Sequence, residues 1–166
     1  MSLRGIVQPE LLHVDETIRL RKYDGIHDFA LEWYQDPELV WLVDGVRTPY
    51  DAEKLNRMYR FLNDHSELYW IEVLQDEQWL TVGDVAFWQY DMPITIFIPA
   101  FRGKGIGHKV VAALILRGRQ LGFEALYVDR IFHYNLASRK CFMSEGFQPL
   151  RETEESTSFV LNLKTN

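Results

Sequence analysis

The chain has 166 residues, 47% hydrophobic and 25% charged, enough for one domain with a sizeable core and too apolar for disorder. A formal net charge of −6 argues against a general grip on nucleic acid. The single cysteine, Cys141, leaves no intrachain disulfide framework and suggests no zinc cluster, and no apolar run is long enough to span a membrane. The opening MSLRGIVQPE lacks the apolar core of a signal peptide, so a cytoplasmic protein is expected. No internal repeat or low-complexity linker divides the sequence, which reads as one domain over residues 1–166.

The alternation of TIRLRKY predicts a strand over Thr17–Tyr23. Ile26, Phe29, Ala30 and Trp33 then suit a helix that stops near Asp36-Pro37, because the residue before proline disfavours helical backbone. A second helix follows Thr48-Pro49, with Asp51 as its cap and Leu55, Met58, Tyr59 and Leu62 as its apolar stripe. ELYWIEVLQDEQWLTVGDVAFWQY reads as two strands around a polar turn at Gln75–Gln78. Gly83 inside the second of them marks a bulge or a close approach. ITIFI, Ile94–Ile98, is a third strand whose continuous apolarity implies burial on both faces.

A helix is predicted from about Gly105 to Leu121, with Ile106, Val110, Leu114 and Leu121 along one face and Gly122 as its C-terminal cap. ALYVDRIF is another strand, NLASRKCFMSE a helix stopped by Gly146, and STSFVLNL a last strand. Helices alternate with strands, yet several strands are consecutive. That order predicts a mixed sheet with helices on its faces.

The junction FRGKGIGHKVV, between the apolar strand and the long helix, carries the chemistry. A helix start leaves four backbone N–H groups without internal partners, and their partial positive charge favours an anion. Gly103, Gly105 and Gly107 let backbone approach a bulky anion, and Arg102 and Lys104 add charge. The spacing is neither a Walker loop nor the dinucleotide G-x-G-x-x-G. On spacing alone, a phosphate cradle and a plain tight turn both stand.

FIPAFRGKGIGHKVVAALI resembles the acetyl-CoA-binding motif of the GCN5-related N-acetyltransferase (GNAT) family, Arg/Gln-x-x-Gly-x-Gly/Ala, at Arg102, Gly105 and Gly107. A second family signature, an Asn followed by a helix and a closing Gly-Phe, is matched by NLASRKCFMSEGF, Asn135 to Phe147. More weakly, Asp36-Pro37-Glu38 and its surroundings are similar to the subgroup of ribosomal-protein N-terminal and aminoglycoside acetyltransferases. The resemblance spans roughly Thr17 to Leu163. It implies an α+β fold: a mixed, mostly antiparallel sheet of six to seven strands, flanked by about four helices and splayed at its central strands.

The resemblance further implies acetyl transfer from acetyl-CoA to an amine by direct attack, with no covalent enzyme intermediate. The pantetheine arm pairs with free backbone of Ile96, Phe97 and Ile98, and Phe97 or Ile98 supplies the oxyanion N–H. The pyrophosphate meets the amides from Arg102 through Gly103, Lys104, Gly105 and Ile106 to Gly107, with His108 nearby. Asn135 bonds pantetheine or only caps its helix, and Ser138 lies close to the coenzyme. Two departures stand out. Phe142 occupies the position of a tyrosine that protonates the leaving thiolate in many relatives; Tyr134 is a substitute, and water is another. Pro93 stands about where some relatives carry a glutamate, so Asp91 is favoured as the base, with Glu72 and Asp84 as rivals.

Alternation with Ala86 and Trp88 places Asp84 on the less buried face of its strand. The acceptor region holds Trp33, Tyr34, Trp41, Tyr50 and Tyr59 among Asp36, Glu38, Asp44 and Asp51. Carboxylates near aromatics attract a cation, though acids also simply coat helix surfaces. A small cationic amine, an aminoglycoside and a protein N-terminus all remain open as acceptors, as does a longer acyl chain. The alternative is a CoA-binding regulatory protein of the same fold without turnover. No metal, nucleic acid or membrane partner is expected, and a homodimer is compatible with the family.

Overall fold

A computed structural model of the chain describes residues 2–3 and 6–164. A short hairpin, β1 (Ser2–Leu3) and β2 (Ile6–Val7), precedes the main fold. A five-stranded antiparallel sheet follows, in the order β3 (Leu11–His13), β4 (Ile18–Lys22), β5 (Glu67–Gln75), β6 (Gln78–Phe87) and β7 (Ile94–Ile96). A second sheet has the order β8 (Ala125–Phe132), β10 (Ser156–Asn162) and β9 (Gln148–Glu152), also antiparallel. The predicted sheet is thus splayed into two, with β7 and β8 as the facing edges.

Helices cover both faces. α4 (Ile106–Gln120) and α5 (Leu136–Ser144) pack with Leu20, Tyr69, Ile71, Val85, Leu126 and Phe159 into one core. On the opposite face lie α1 (Leu31–Tyr34), α2 (Pro37–Asp44) and α3 (Ala52–His65), over a second core that includes Leu68, Trp70, Ala86 and Phe97. β5 and β6 serve both cores, which is why their sequence is apolar nearly throughout.

Local signals explain most boundaries. Asp51 caps α3 by accepting from the Lys54 N–H at 2.8 Å. Gly122 takes φ 79° just past Leu121, the C-cap of α4, and Gly146 takes φ 101° after α5. Asp76 and Glu77 both have positive φ, which closes the β5–β6 hairpin with a twist matching its strands. Gly83 is both a bulge neighbour and a close approach. The β5–β6 register slips beside it, and a Cβ there would stand 2.1 Å from the Thr95 carbonyl oxygen.

Three expectations are corrected. The helix expected from Ile26 to Trp33 is a 3-10 turn, Asp28–Ala30, and the single turn α1; Ile26 and Phe29 are exposed. Pro37 does not merely end a helix. It opens α2 at its first position, where its missing N–H costs nothing, and Asp36 accepts from the Glu38 N–H at 3.0 Å. Ile94–Ile98 is not buried on both faces. Thr95 and Phe97 are buried, while Ile94, Ile96 and Ile98 are half-exposed toward the gap between the sheets. β3 and β9 escape sequence reading because β3 is three residues long and β9 is an exposed edge strand carrying Pro149, where proline is tolerated.

Candidate active site

The two edge strands are tied at one end and part at the other. Tyr127 N–H donates to the Gln89 carbonyl at 2.9 Å, and Asp129 N–H donates to Asp91 Oδ1 at 3.1 Å. Beyond Asp91, β7 and β8 diverge around a cavity of about 660 Å³.

Backbone phase decides what β7 offers this cavity. Phe97 N–H donates to Val82 O at 2.9 Å, and Ala86 N–H to Pro93 O at 3.0 Å. In an antiparallel ladder bonded pairs alternate, so the Thr95 backbone faces β6 as well. The amides of Ile94, Ile96 and Ile98 then point away from β6, into the split. The expectation that Phe97 offers its N–H is therefore corrected: that hydrogen is spent on β6, and the next amide, at Ile98, turns away from β6, while Ile98 itself is not among the residues lining the cavity. Ile96 lines the cavity, but its carbonyl is taken by Arg102 Nε at 2.9 Å. Arg102 also reaches Phe97 O at 3.4 Å, so this arginine staples the glycine loop to β7.

The loop itself is open. Gly103 and Gly105 have φ of 72° and 81°, and nothing lies within 4 Å of a Cβ added at either. Gly105 begins α4 without a side-chain cap, while Lys109 N–H is the first to find an intrahelical partner, the Gly105 carbonyl, at 3.1 Å. The amides of Ile106, Gly107 and His108 are thus the helix's unpaired donors, and all three residues line the cavity. Gly107 faces α5, where its absent Cβ would meet Cys141 Sγ at an ordinary 3.7 Å. Lys104 is exposed beside the loop. His108 Nδ1 lies 2.9 Å from Ser144 Oγ, and Lys109 is held by Asp15 at 3.0 Å.

From the other wall, Asn135 accepts from Ser138 N–H at 3.2 Å, which makes it the cap of α5. Asn135, Ser138 and Cys141 line the cavity, joined by Lys140, which sequence reasoning missed: five residues on, it is off the helical face of Asn135 and lies one turn from Ala137 and Ser144, which also line the cavity. Burial and the Glu145 charge push the Cys141 thiol up to about 11, so it is a poor nucleophile. Phe142 is buried against Phe147.

Asp91 lines the cavity at the apex of the split. Its Oδ1 accepts from the Met92 and Asp129 amides, and burial raises its pKa despite those bonds. Tyr134 is outside the cavity lining. Its hydroxyl donates to the Trp41 carbonyl and its ring is stacked between Trp41 and Phe132. With Arg47 over Trp41 and Arg130 over Phe132, a continuous stack joins α2 to the end of β8. Gly45 ends α2 at φ 75° with its Cα directly on the Phe132 ring, where a Cβ would clash at 2.8 Å.

The rival carboxylates are differently placed. Glu72 is bonded by Arg19 and Arg21, each at 2.7 Å. Asp84 does not lie on a less buried face: it is 5% exposed, under α1 and α3. The acids of the acceptor region have partners. Glu38 pairs with Arg47, Asp44 takes the Tyr50 hydroxyl and Lys54, and Asp36 and Asp51 cap helices. Instead, Leu39, Leu42 and Val43 of α2 face the cavity.

An acetyltransferase (GNAT) domain model matches residues 17–148, four-fifths of the chain. The chain belongs to the GNAT acetyltransferase family. Acetyl transfer is the activity that membership supports. Solved structures agree on the GNAT fold: a domain from Methanocaldococcus jannaschii has a TM-score of 0.75 at 21% identity, covering 89% of this chain and 99% of that one. RimL, a ribosomal alpha-N-protein acetyltransferase solved with coenzyme A, has a TM-score of 0.72 at 16% identity, covering 92% and 98%. For yncA from Salmonella typhimurium, solved with acetyl-CoA, the values are 0.67 and 18%, covering 91% and 96%. No curated protein sequence matches this GNAT chain.

Proposed function

We propose that the chain is an N-acetyltransferase that moves an acetyl group from acetyl-CoA to a primary amine by direct attack in the split between β7 and β8. The observation that carries this reading is the open run of amides at the start of α4, flanked by glycines whose missing Cβ atoms leave empty space. A helix start of this kind accepts a diphosphate. The unpaired edge of β7 offers main-chain groups to an extended amide chain, as a neighbouring strand would. Acetyl-CoA supplies the activated thioester.

The chain's own residues then divide the work. Ile106, Gly107 and His108 hold the anion, with Lys104 and Lys140 at the rim. The Ile98 amide donates to negative charge on the acetyl oxygen. Asp91, with one oxygen fixed by two amides, uses the other to take a proton from the attacking nitrogen. Tyr134 braces α2 against β8, and the thiolate leaves without help from a phenol. A thiol is acidic enough for that, with an ordinary pKa near 8.5. The test is a thiol-release screen with acetyl-CoA and a panel of amines. Activity with at least one amine, reduced in Asp91→Asn across the neutral range, is the expected result. Coenzyme binding without thiol release from any amine refutes the transferase reading.

A further inference from the structure

Three carboxylates are buried among the described residues: Glu67, Glu72 and Asp84. Two have cations. Arg117 grips Glu67 with two bonds, at 3.0 and 2.6 Å, and two arginines hold Glu72. Asp84 has no ion pair. Tyr34 donates to its Oδ2 at 2.8 Å and Tyr59 to the same oxygen at 2.6 Å. Tyr34 comes from α1, Tyr59 from α3, and Tyr50 approaches from the loop before α3. The neighbour on β5 is Trp70. A purely structural link between these helices and β6 needs no charge, and an ionisable group placed there without a cation is a cost to folding.

Asp84 also has a route to the cavity. Its partner across the β6–β7 ladder is Thr95, on the same face of the sheet. Thr95 lines the cavity, and its hydroxyl sits near enough to the Tyr34 phenol to favour the ionised form of that phenol against the effect of burial. Tyr34 thus stands between Thr95 and Asp84, with its own proton directed to Asp84 Oδ2.

We propose that Asp84 is the proton acceptor for the incoming ammonium, reached from the cavity through Thr95 and Tyr34. This rests on the transferase reading above. An amine arrives at neutral pH as R–NH₃⁺, and the nitrogen sheds two protons before the product R–NH–acetyl is complete. The first passes to Thr95 Oγ as the Thr95 proton moves to Tyr34 Oη and the Tyr34 proton to Asp84 Oδ2. The freed nitrogen pair then forms the C–N bond as the C–S bond breaks. The second proton goes to Asp91, and from there it can neutralise the departing sulfur. Asp84 returns its proton along the same route once the product leaves. Burial supports this role independently, since it raises the Asp84 carboxyl to about 6, closer to an amine than an ordinary carboxylate.

The experiment measures kcat, both KM values and the pH–rate profile for Thr95→Val, Thr95→Ser, Tyr34→Phe and Asp84→Asn, using acetyl-CoA and an amine active in the screen. Thr95→Val is expected to lower kcat about ten-fold or more with KM for acetyl-CoA unchanged, and to displace the acidic limb of the profile. Thr95→Ser, which restores a hydroxyl, is expected to recover most of the rate, and Tyr34→Phe to reproduce the loss. If Thr95→Val and Tyr34→Phe keep kcat within two-fold and the same acidic limb, the relay is wrong while the transferase reading stands. If no amine releases thiol from the wild type, both are wrong.

Discussion

Replacing Gly107 by valine separates the needs of the fold from those of the ligand. The glycine is helical, and a Cβ there meets Cys141 Sγ at 3.7 Å and Ile94 Cδ1 at 3.9 Å, ordinary contacts. Valine is a slightly better helix former than glycine, so the unliganded stability should change by no more than about 0.5 kcal/mol. The side chain does, however, occupy the cavity where the first-turn amides point. Losing one hydrogen bond to a charged group costs about 1.5–3 kcal/mol, a ten- to hundred-fold drop in affinity. In the wild type, coenzyme A at about 100 times its Kd adds about 2.7 kcal/mol. That corresponds to a Tm rise of about 5–10 °C for a chain of this size. At the same coenzyme concentration the variant keeps about 0.4–1.4 kcal/mol, a rise of about 1–5 °C. Thermal melts with and without coenzyme A read both quantities. A variant that responds to coenzyme as the wild type does refutes the anion site; one whose unliganded Tm collapses shows that the glycine serves packing instead.

Asp84→Asn should raise stability at pH 8, by about 3 kcal/mol at most, because the carboxyl moves from an ordinary 3.8 to about 6 on folding. The folded state binds more protons than the unfolded between those values. Wild-type stability contributed by this group therefore falls as pH rises from 4 to 6, and the variant should lose that slope in urea titrations across the range. Arg117→Leu leaves Glu67 buried and unpaired and should cost about 3–5 kcal/mol, while Glu67→Gln with Arg117→Leu recovers much of it; a denaturant double-mutant cycle with no coupling contradicts this. Tyr134→Phe removes the hydroxyl bonded to the Trp41 carbonyl and should cost about 1 kcal/mol with kcat within two-fold. A large fall in kcat at unchanged thermal stability would restore Tyr134 to the chemistry.

Local chain chemistry was legible in the sequence. Asp51, Gly122 and Gly146 mark helix ends because capping and left-handed backbone depend on the residue itself and its near neighbours. Gly83 announced a close approach, and the glycines at 103, 105 and 107 announced an open helix start, for the same reason. Asp36-Pro37 misled because the same dipeptide that closes one helix can cap and open the next. Which edge of β7 is free, and hence that the amide of Ile98 rather than that of Phe97 turns away from β6, depends on its ladder phase with β6. Whether an acid meets an arginine, a helix amide or two phenols depends on elements far away in the chain. Asp84 looks no different from Glu72 in sequence; one lies under α1 and α3 beside tyrosines, the other across from Arg19 and Arg21. Periodicity records which way a side chain points, but the charge it meets there is set by packing between distant segments.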